Sequence, residues 1–220
     1  MPSPNHDDRG DAVVDMLVLH YTGMKTAQAA LERLCDPAAK VSAHYTVDED
    51  GTVYAHVPED RRAWHAGISS WAGETDVNSR SIGIELVNPG HDYGYRDFPD
   101  AQIEALITLC HGILLRHPIS SARVLGHSDV APARKEDPGE RFPWERLARA
   151  GIGLWPVSRD ADLGAEALAR FGYDLGAGTE KVVTVFQRHF RPAKIDGVWD
   201  SECAGLLVNL LSRLPAKSGE

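Results

Sequence analysis

The sequence lacks the features of several common protein classes, starting with a cysteine framework. Its 220 residues include only three cysteines, Cys35, Cys110 and Cys203, which are far apart and form no C-x-x-C pair. An odd number of dispersed cysteines indicates neither a disulfide framework nor a cysteine-rich zinc site. Cys110 lies among apolar residues at helical spacing, which favours a buried core thiol over the alternative, the nucleophile of a cysteine peptidase.

Net positive charge and long apolar runs are also missing. The formal net charge is −9, which argues against the basic surface that binding to nucleic acid or to an anionic membrane requires. No apolar run approaches the ~20 residues of a membrane span. The polar N-terminus shows no signal-peptide pattern. We therefore expect a cytoplasmic monomer, or a periplasmic or envelope protein whose export signal lies outside this chain.

Several catalytic signatures are absent as well. The chain contains no H-E-x-x-H, no G-x-S-x-G, no P-loop and no dinucleotide fingerprint. Metalloproteases of the H-E-x-x-H type, α/β-hydrolases, P-loop nucleotide hydrolases and Rossmann dehydrogenases are therefore poor candidates. Any chemistry has to come from residues that are dispersed along the chain.

What the sequence does contain is a proline-rich stretch, LGHSDVAPARKEDPG, over residues 125–139. It holds His127, Lys135 and Asp137, and its prolines argue against a regular helix or a central strand. A stiff loop presents side chains in the fixed geometry that a metal site needs. The alternative is an irregular surface loop with a solvated lysine and aspartate.

A catalytic zinc usually takes three protein ligands and leaves one position open, so this stretch predicts a further ligand elsewhere. The best candidate is His20, at the end of the apolar run Met16-Leu-Val-Leu. Asp129 is an alternative to Asp137 as the carboxylate ligand. The Pro138-Gly139 pair would fix the loop around Asp137 and weakly favours that residue.

Hydrolysis at such a site also needs a general base and a positive charge near the developing oxyanion. Glu85 is a lone carboxylate between Ile84 and Leu86 in an apolar strand, where an unpartnered charge is costly. It is a candidate base, although strand alternation also permits a solvent-facing residue there. Lys135 is a candidate to stabilise the oxyanion with its positive charge. The alternative is an ordinary loop lysine that is exposed to solvent. We expect His44 and His65 to lie near the proposed site, where they are candidate substrate contacts. The alternative is that each is a structural hydrogen-bonding group, as a lone histidine more often is.

The pattern of apolar residues predicts an α/β fold with a mixed central sheet flanked by helices. We expect strands over 12–19, 81–87 and 122–126, a hairpin over 42–57 around Asp50-Gly51, and helices from Thr26 to Cys35 and from Pro99 to His117. Residues 58–80 are expected to form a long loop with a helical turn over the site. Gly151, Gly153 and Pro156 suggest a linker. The predicted domains are 1–152, the catalytic unit, and 158–216, a small module of three helices over roughly 162–171, 179–190 and 200–214 that packs on the first domain.

Five motifs, in this order, resemble the amidase-2 family of zinc-dependent N-acetylmuramoyl-L-alanine amidases, which is related in fold to the peptidoglycan recognition proteins. They are VLHYT at 18–22, VSAHY at 41–45, RAWHAG at 62–67, SIGIEL at 81–86 and GHSDVAPARKEDPG at 126–139. The tail motifs FGYD at 171–174, VFQRHFRP at 185–192 and IDG at 195–197 resemble the three-helix peptidoglycan-binding module that follows the catalytic domain in AmiD-like members.

The resemblance implies one zinc ion per chain, with His20, His127 and Asp137 as ligands, which decides for Asp137 over Asp129. It implies Glu85 as general base and Lys135 as stabiliser of the intermediate. The bond cut would join muramic acid, or its anhydro form, to L-alanine of the stem peptide in peptidoglycan or soluble muropeptides. Residues expected to line the substrate groove are Lys40, His44, Trp64 and His65. The alternative is a non-catalytic recognition protein, which the filled catalytic positions disfavour.

Overall fold

The computed structural model describes residues 1–215 and shows a mixed sheet with helices on both faces, as the sequence predicts. The strands are β1 His6–Asp8, β2 Met16–Tyr21, β3 Tyr45–Val47, β4 Val53–Ala55, β5 Arg61–Ala63, β6 Ser81–Leu86 and β7 Val124–Gly126. The helices are α1 Ala27–Cys35, α2 Val77–Arg80, α3 Gly90–Tyr93, α4 Asp100–Arg116, α5 His127–Val130, α6 Trp144–Arg149, α7 Leu168–Phe171, α8 Thr179–Phe190 and α9 Ser201–Leu211. Short 3-10 turns cover Ser121–Arg123, Ala165–Ala167 and Leu175–Ala177.

The main sheet has the strand order β4-β3-β6-β2-β7. Strands β3, β6, β2 and β7 run parallel, and β4 joins antiparallel to β3 through the predicted hairpin. The turn of that hairpin closes with Asp48 N–H donating to Thr52 O at 2.8 Å, and Gly51 adopts a φ of 89°. The carboxyl ends of β2, β6 and β7 therefore meet at one edge, where ligand sites of open α/β sheets commonly form.

One face of the sheet packs on α4 and α6. Strand alternation directs Leu17, Leu19, Ile82 and Ile84 to this face, where they meet the apolar side of α4. Cys110 belongs to this core, and burial raises the pKa of its thiol to about 12. The prediction of a buried core thiol is therefore confirmed, because such a group is a poor nucleophile.

The opposite face of the sheet packs on the C-terminal helices. Met16 and Val18 point to this face and share one apolar cluster with Leu168, Phe186 and Leu207. The C-terminal helices α7, α8 and α9, here called the tail together with the segments that join them, thus cover the second face of the main sheet rather than standing apart from it. The final predicted residue of the tail, Ala216, lies outside the described residues.

Four local predictions differ from the structure. Strand β2 starts at Met16 rather than at residue 12, and β5 lies within the stretch expected to be a loop and pairs with β1 in a separate two-stranded sheet. The first tail helix is shorter than predicted, because a 3-10 turn precedes α7 and Gly172 ends it. The proline-rich stretch begins with β7 and the single turn α5, so only its later part is irregular.

Among residues 1–215, every helix is too short or too polar to cross a bilayer.

Candidate metal and catalytic site

Three potential metal ligands converge at the carboxyl edge of the sheet. His20 ends the apolar run of β2, His127 is the first residue of α5 after β7, and Asp137 lies in the loop beyond. His20 Nδ1 lies 2.9 Å from His127 Nδ1 and 3.1 Å from Asp137 Oδ2, and His127 Nδ1 lies 3.0 Å from the same oxygen. All three side chains are buried.

Two hydrogen bonds hold the loop in a position where Asp137 faces the two histidines. Ser128 N–H donates to Asp137 O at 2.9 Å, and Tyr95 Oη donates to Pro138 O at 2.7 Å. Gly139 has a φ of 84°, and a Cβ there would overlap the Tyr95 hydroxyl. Glycine at position 139 is therefore required by close packing as well as by backbone shape.

The tautomer of His127 follows from its second nitrogen. Its Nε2 lies 3.1 Å from Ala66 O, which can only accept a hydrogen bond. The proton therefore resides on Nε2, and Nδ1 presents a lone pair to the cluster.

The tautomer of His20 follows from a longer chain of hydrogen bonds. Ser81 Oγ donates to Val77 O at 2.6 Å, so it accepts from His65 Nε2 at 3.1 Å. His65 Nδ1 is then an acceptor, and it accepts a hydrogen bond from the N–H at His20 Nε2 at 3.1 Å. His20 Nδ1 consequently also presents a lone pair to the cluster. Gly83 leaves the space that the His65 ring fills, because a Cβ there would overlap it.

The local environment disfavours the charged forms of His20 and His65 and favours the ionised form of Asp137. Burial, reinforced by His127, lowers the pKa of His20 to about 4. Burial also places the pKa of His65 well below its ordinary value. Burial alone would raise the pKa of Asp137, but the charge of His127 and hydrogen bonds with both histidines outweigh it and hold the pKa below its usual range. Two lone-pair nitrogens and one carboxylate thus crowd together, an arrangement that favours a cation at their centre.

Glu85 and Lys135 line the same cavity, which has a volume of about 410 Å³. Glu85 is the neighbour of His20 in the parallel β2–β6 register, so both side chains project to one face. Its Oε2 is buried without a hydrogen-bond partner among the described residues. Burial, reinforced by the charge of Asp137, raises the pKa of Glu85 well above its ordinary value. Glu85 therefore lies half-buried in the cavity wall with one carboxylate oxygen enclosed, and does not stand on a fully solvent-facing position.

The residues expected to contact substrate separate into two groups. Trp64 and His65 line the cavity, whereas Lys40 is exposed and lies outside its lining. His44 is fully buried and bonded to Gly83 N at 2.9 Å and Arg61 O at 3.1 Å, and burial lowers its pKa to about 3. The expectation that His44 lines the groove is wrong, since its ring is fully buried among Arg9, His65 and backbone groups and is absent from the cavity lining.

Asp129, the alternative carboxylate ligand, points away from the cluster. Its Oδ2 accepts from Gly126 N–H and from His189 Nδ1, both at 2.7 Å, and its Oδ1 accepts from Tyr173 Oη at 2.7 Å. The structure therefore leaves Asp137 as the carboxylate in the cluster. Sequence reasoning missed Ser81, Tyr173 and His189, because nothing local in their sequence context links them to the site.

The ligand atoms of His20, His127 and Asp137 form a group that could hold a metal ion. Tetrahedral zinc with ligands at ~2.0–2.1 Å places neighbouring ligand atoms about 3.3 Å apart, close to the spacing found here. The donor set of two imidazoles and one carboxylate leaves one position of a tetrahedral ion free, as catalytic sites require. The residues present therefore fit zinc.

The chain is similar in sequence to known N-acetylmuramoyl-L-alanine amidases. The model of the family Amidase_2, described as N-acetylmuramoyl-L-alanine amidase, matches residues 10–140. The N-acetylmuramoyl-L-alanine amidase AmiD of Escherichia coli (strain K12) is 37% identical over 91% of this chain and 83% of its own length. The 1,6-anhydro-N-acetylmuramyl-L-alanine amidase AmpD of Enterobacter cloacae is 37% identical, over 67% of this chain and 86% of its own.

Solved structures of similar amidases match this chain over both the sheet and the C-terminal helices. A complex of Escherichia coli AmiD with anhydro-N-acetylmuramic acid-L-Ala-D-gamma-Glu-L-Lys superposes with a TM-score of 0.83 at 36% identity, over 93% of this chain and 91% of that one. AmpDh3 from Pseudomonas aeruginosa superposes with a TM-score of 0.83 at 34% identity, over 98% of this chain and 96% of that one.

Proposed function

We propose, from the premise that this chain belongs to the Amidase_2 family of N-acetylmuramoyl-L-alanine amidases, that it hydrolyses the amide between N-acetylmuramic acid, or its 1,6-anhydro form, and L-alanine. The observation that carries the proposal is the convergence of His20, His127 and Asp137 in one cavity with Glu85 and Lys135. The substrates would be muropeptides or peptidoglycan.

Zinc is the metal we assign to His20, His127 and Asp137. Bound there, it would supply Lewis-acid chemistry, polarising the scissile carbonyl and making water more acidic. The hydrogen bonds that orient the ligands would matter as much as the ligands, because they fix which imidazole nitrogen is free. Ala66 O fixes this for His127, and the His65–Ser81 chain fixes it for His20.

Glu85 would act as the general base. Its carboxylate opens to the cavity from the strand beside His20, where it takes a proton from the attacking water and later passes it to the departing amine of L-alanine. A carboxyl whose pKa is raised is a stronger base than one in water, which suits this task near neutral pH. Lys135 would place positive charge where the tetrahedral oxyanion develops.

Trp64 and His65 would contact the substrate from the cavity wall, and Lys40 from its exposed position nearby. Residues 158–216 would act as the peptidoglycan-binding module of this enzyme. The cytoplasmic location remains a prediction. A preference for soluble muropeptides would support it, whereas a preference for intact sacculi would favour the cell envelope.

The test is mass spectrometry after incubation of the enzyme with a purified anhydro-muropeptide and, separately, with intact sacculi, each with and without a zinc chelator. Release of free stem peptide that the chelator abolishes is the expected result. Release from the soluble fragment alone indicates a recycling role, and release from sacculi indicates a role in the envelope. If the zinc-loaded protein releases nothing from either, the proposal fails and a recognition protein becomes the better description.

A further inference from the structure

The C-terminal helices contact the metal-ligand segment through a buried polar cluster. Asp129, two residues after the ligand His127, is 1% exposed, and its carboxylate accepts hydrogen bonds from Tyr173 and His189 of the tail at 2.7 Å. Its remaining hydrogen bond comes from Gly126 N–H at 2.7 Å. Two of the three groups that satisfy this carboxylate therefore belong to the tail.

The bond from Gly126 explains why Asp129 matters for the ligand. It closes the first turn of α5, whose first residue is His127, so the position of Asp129 sets the direction in which His127 leaves the strand. A buried carboxylate keeps one position only while its oxygens are bonded, because each loss leaves a costly unsatisfied group. The tail thus holds the turn that carries a ligand.

A second contact reaches the other side of the loop. Arg188 of α8 lies 3.3 Å from a carboxylate oxygen of Glu136 and 3.5 Å from one of Glu140, and these two residues flank Asp137. The neighbouring His189 stacks on Trp144 with ring centroids 3.8 Å apart, which fixes the ring that donates to Asp129. Consecutive residues of α8 therefore engage both ligand-bearing parts of the segment.

We infer that Tyr173 and His189 are positioning residues for the metal site, acting on His127 through the Asp129 carboxylate. The tail would then be a structural part of the metal centre, whatever affinity it has for glycan. The inference rests on the proposed function only in taking zinc as the metal, and metal binding can be measured without any substrate.

The first test is Tyr173→Phe in the full-length chain, which removes one hydroxyl and leaves the packing of the ring. Tyr45→Phe is the matched control, since Tyr45 donates to Glu59 at the same 2.7 Å but away from the metal ligands. Competition with a chromophoric chelator measures the zinc dissociation constant. We expect about a tenfold increase for Tyr173→Phe, in the range found for changes outside the ligand shell, and no change for Tyr45→Phe.

The second test separates positioning from general stability. His189→Leu removes the donor to Asp129, whereas His189→Asn keeps an N–H close to the position of Nδ1. We expect weaker zinc binding and an altered visible absorption spectrum of the cobalt-substituted protein for His189→Leu, with both restored towards wild type by His189→Asn. A merely structural role would lower thermal stability and leave the cobalt spectrum unchanged.

The inference is overturned if Tyr173→Phe binds zinc as tightly as Tyr45→Phe, or if the cobalt spectrum of His189→Leu equals that of wild type. Failure of the proposed function has a different signature. It would appear as zinc-loaded wild-type protein that releases no stem peptide, while the metal-binding differences between these variants persist.

Discussion

His20 and Glu85 lie side by side on adjacent parallel strands, as direct partners in the β2–β6 register. A metal ligand and the proposed general base therefore sit on neighbouring strands of one rigid sheet, and their separation cannot drift as it could between two loops. Burial also disfavours the charged forms of both side chains. The predictions below follow from this arrangement and its supports.

Replacing Ser81 by alanine should weaken zinc binding about tenfold. The change removes the acceptor for His65 Nε2, so His65 can turn and release the His20 tautomer. Isothermal titration or chelator competition provides the measurement. Ser3→Ala is the control, because Ser3 is also a buried serine, and its hydroxyl donates to Leu34 O rather than to a group that is bonded to a ligand histidine. Equal affinities in the two variants would show that the chain from Ser81 has no role in holding His20.

Removing Asp137 and removing Lys135 should have different consequences. Asp137→Ala deletes one of three ligands and should abolish tight zinc binding, whereas Lys135→Ala should keep zinc and lose rate, by about 10²-fold or more if it stabilises the oxyanion. Metal content after dialysis and kcat on a muropeptide are the two measurements. Comparable zinc loss in both variants would show that Lys135 supports the ligand set instead.

Glu85→Gln should abolish hydrolysis, keep zinc, and stabilise the metal-free protein at high pH. The folded pKa of Glu85 is raised, mainly by burial. Its contribution to stability is therefore fully present below the unfolded pKa of about 4.5 and is lost as pH rises through the folded value. In thermal unfolding with chelator present, the melting temperature of Glu85→Gln should exceed that of wild type, and the difference should be larger at pH 8 than at pH 5.

Glu59→Gln is a control of opposite sign for that experiment. Burial would raise the pKa of Glu59, but hydrogen bonds from Arg116, Tyr45 and His117 lower it to about 2. Its stabilising effect is present above the unfolded pKa and is lost as pH falls towards 2. Glu59→Gln should therefore destabilise the protein at both pH 5 and pH 8. If the difference in melting temperature between Glu85→Gln and wild type does not grow with pH, Glu85 is not desolvated.

Gly139→Ala should destabilise the protein more than Gly151→Ala does. Both glycines have positive φ, 84° and 81°, so each substitution should cost about 1–2 kcal/mol of backbone strain. A Cβ at Gly151 meets nothing, whereas one at Gly139 overlaps Tyr95, which adds about 1–3 kcal/mol. Urea unfolding measures the difference. Only Gly139→Ala should also lose zinc affinity, and equal costs would mean that the Tyr95 contact is easily relaxed.

The parts of the fold that depend on local pattern could be predicted. The Asp50-Gly51 turn, the Thr26 cap and the apolar alternation of β6 are signals carried by a few adjacent residues. The pair β1 and β5 has only three residues in each strand and no such alternation. Its pairing is a long-range contact that no local rule indicates.

The same division applies to the site. His20 and Glu85 could be proposed because a histidine at a strand end and a carboxylate in an apolar strand are unusual where they stand. Asp137 could be chosen over Asp129 only through the family resemblance. His44 could not be distinguished from His65, because each lies within a short motif and only the tertiary structure shows that the His44 ring is buried away from the cavity that His65 lines. The hydrogen bonds of Asp129 depend on residues 44 and 60 positions later.

The apolar cluster that joins Met16, Val18 and Leu125 to α7, α8 and α9 affects how this chain is made. When the catalytic sheet has left the ribosome, that face still lacks its cover, because Leu168 to Leu210 have yet to be synthesised. A sheet with one bare apolar face is prone to aggregate. Burial of this face therefore depends on residues 168–210, and a chain truncated before them would leave an apolar sheet face open to aggregation.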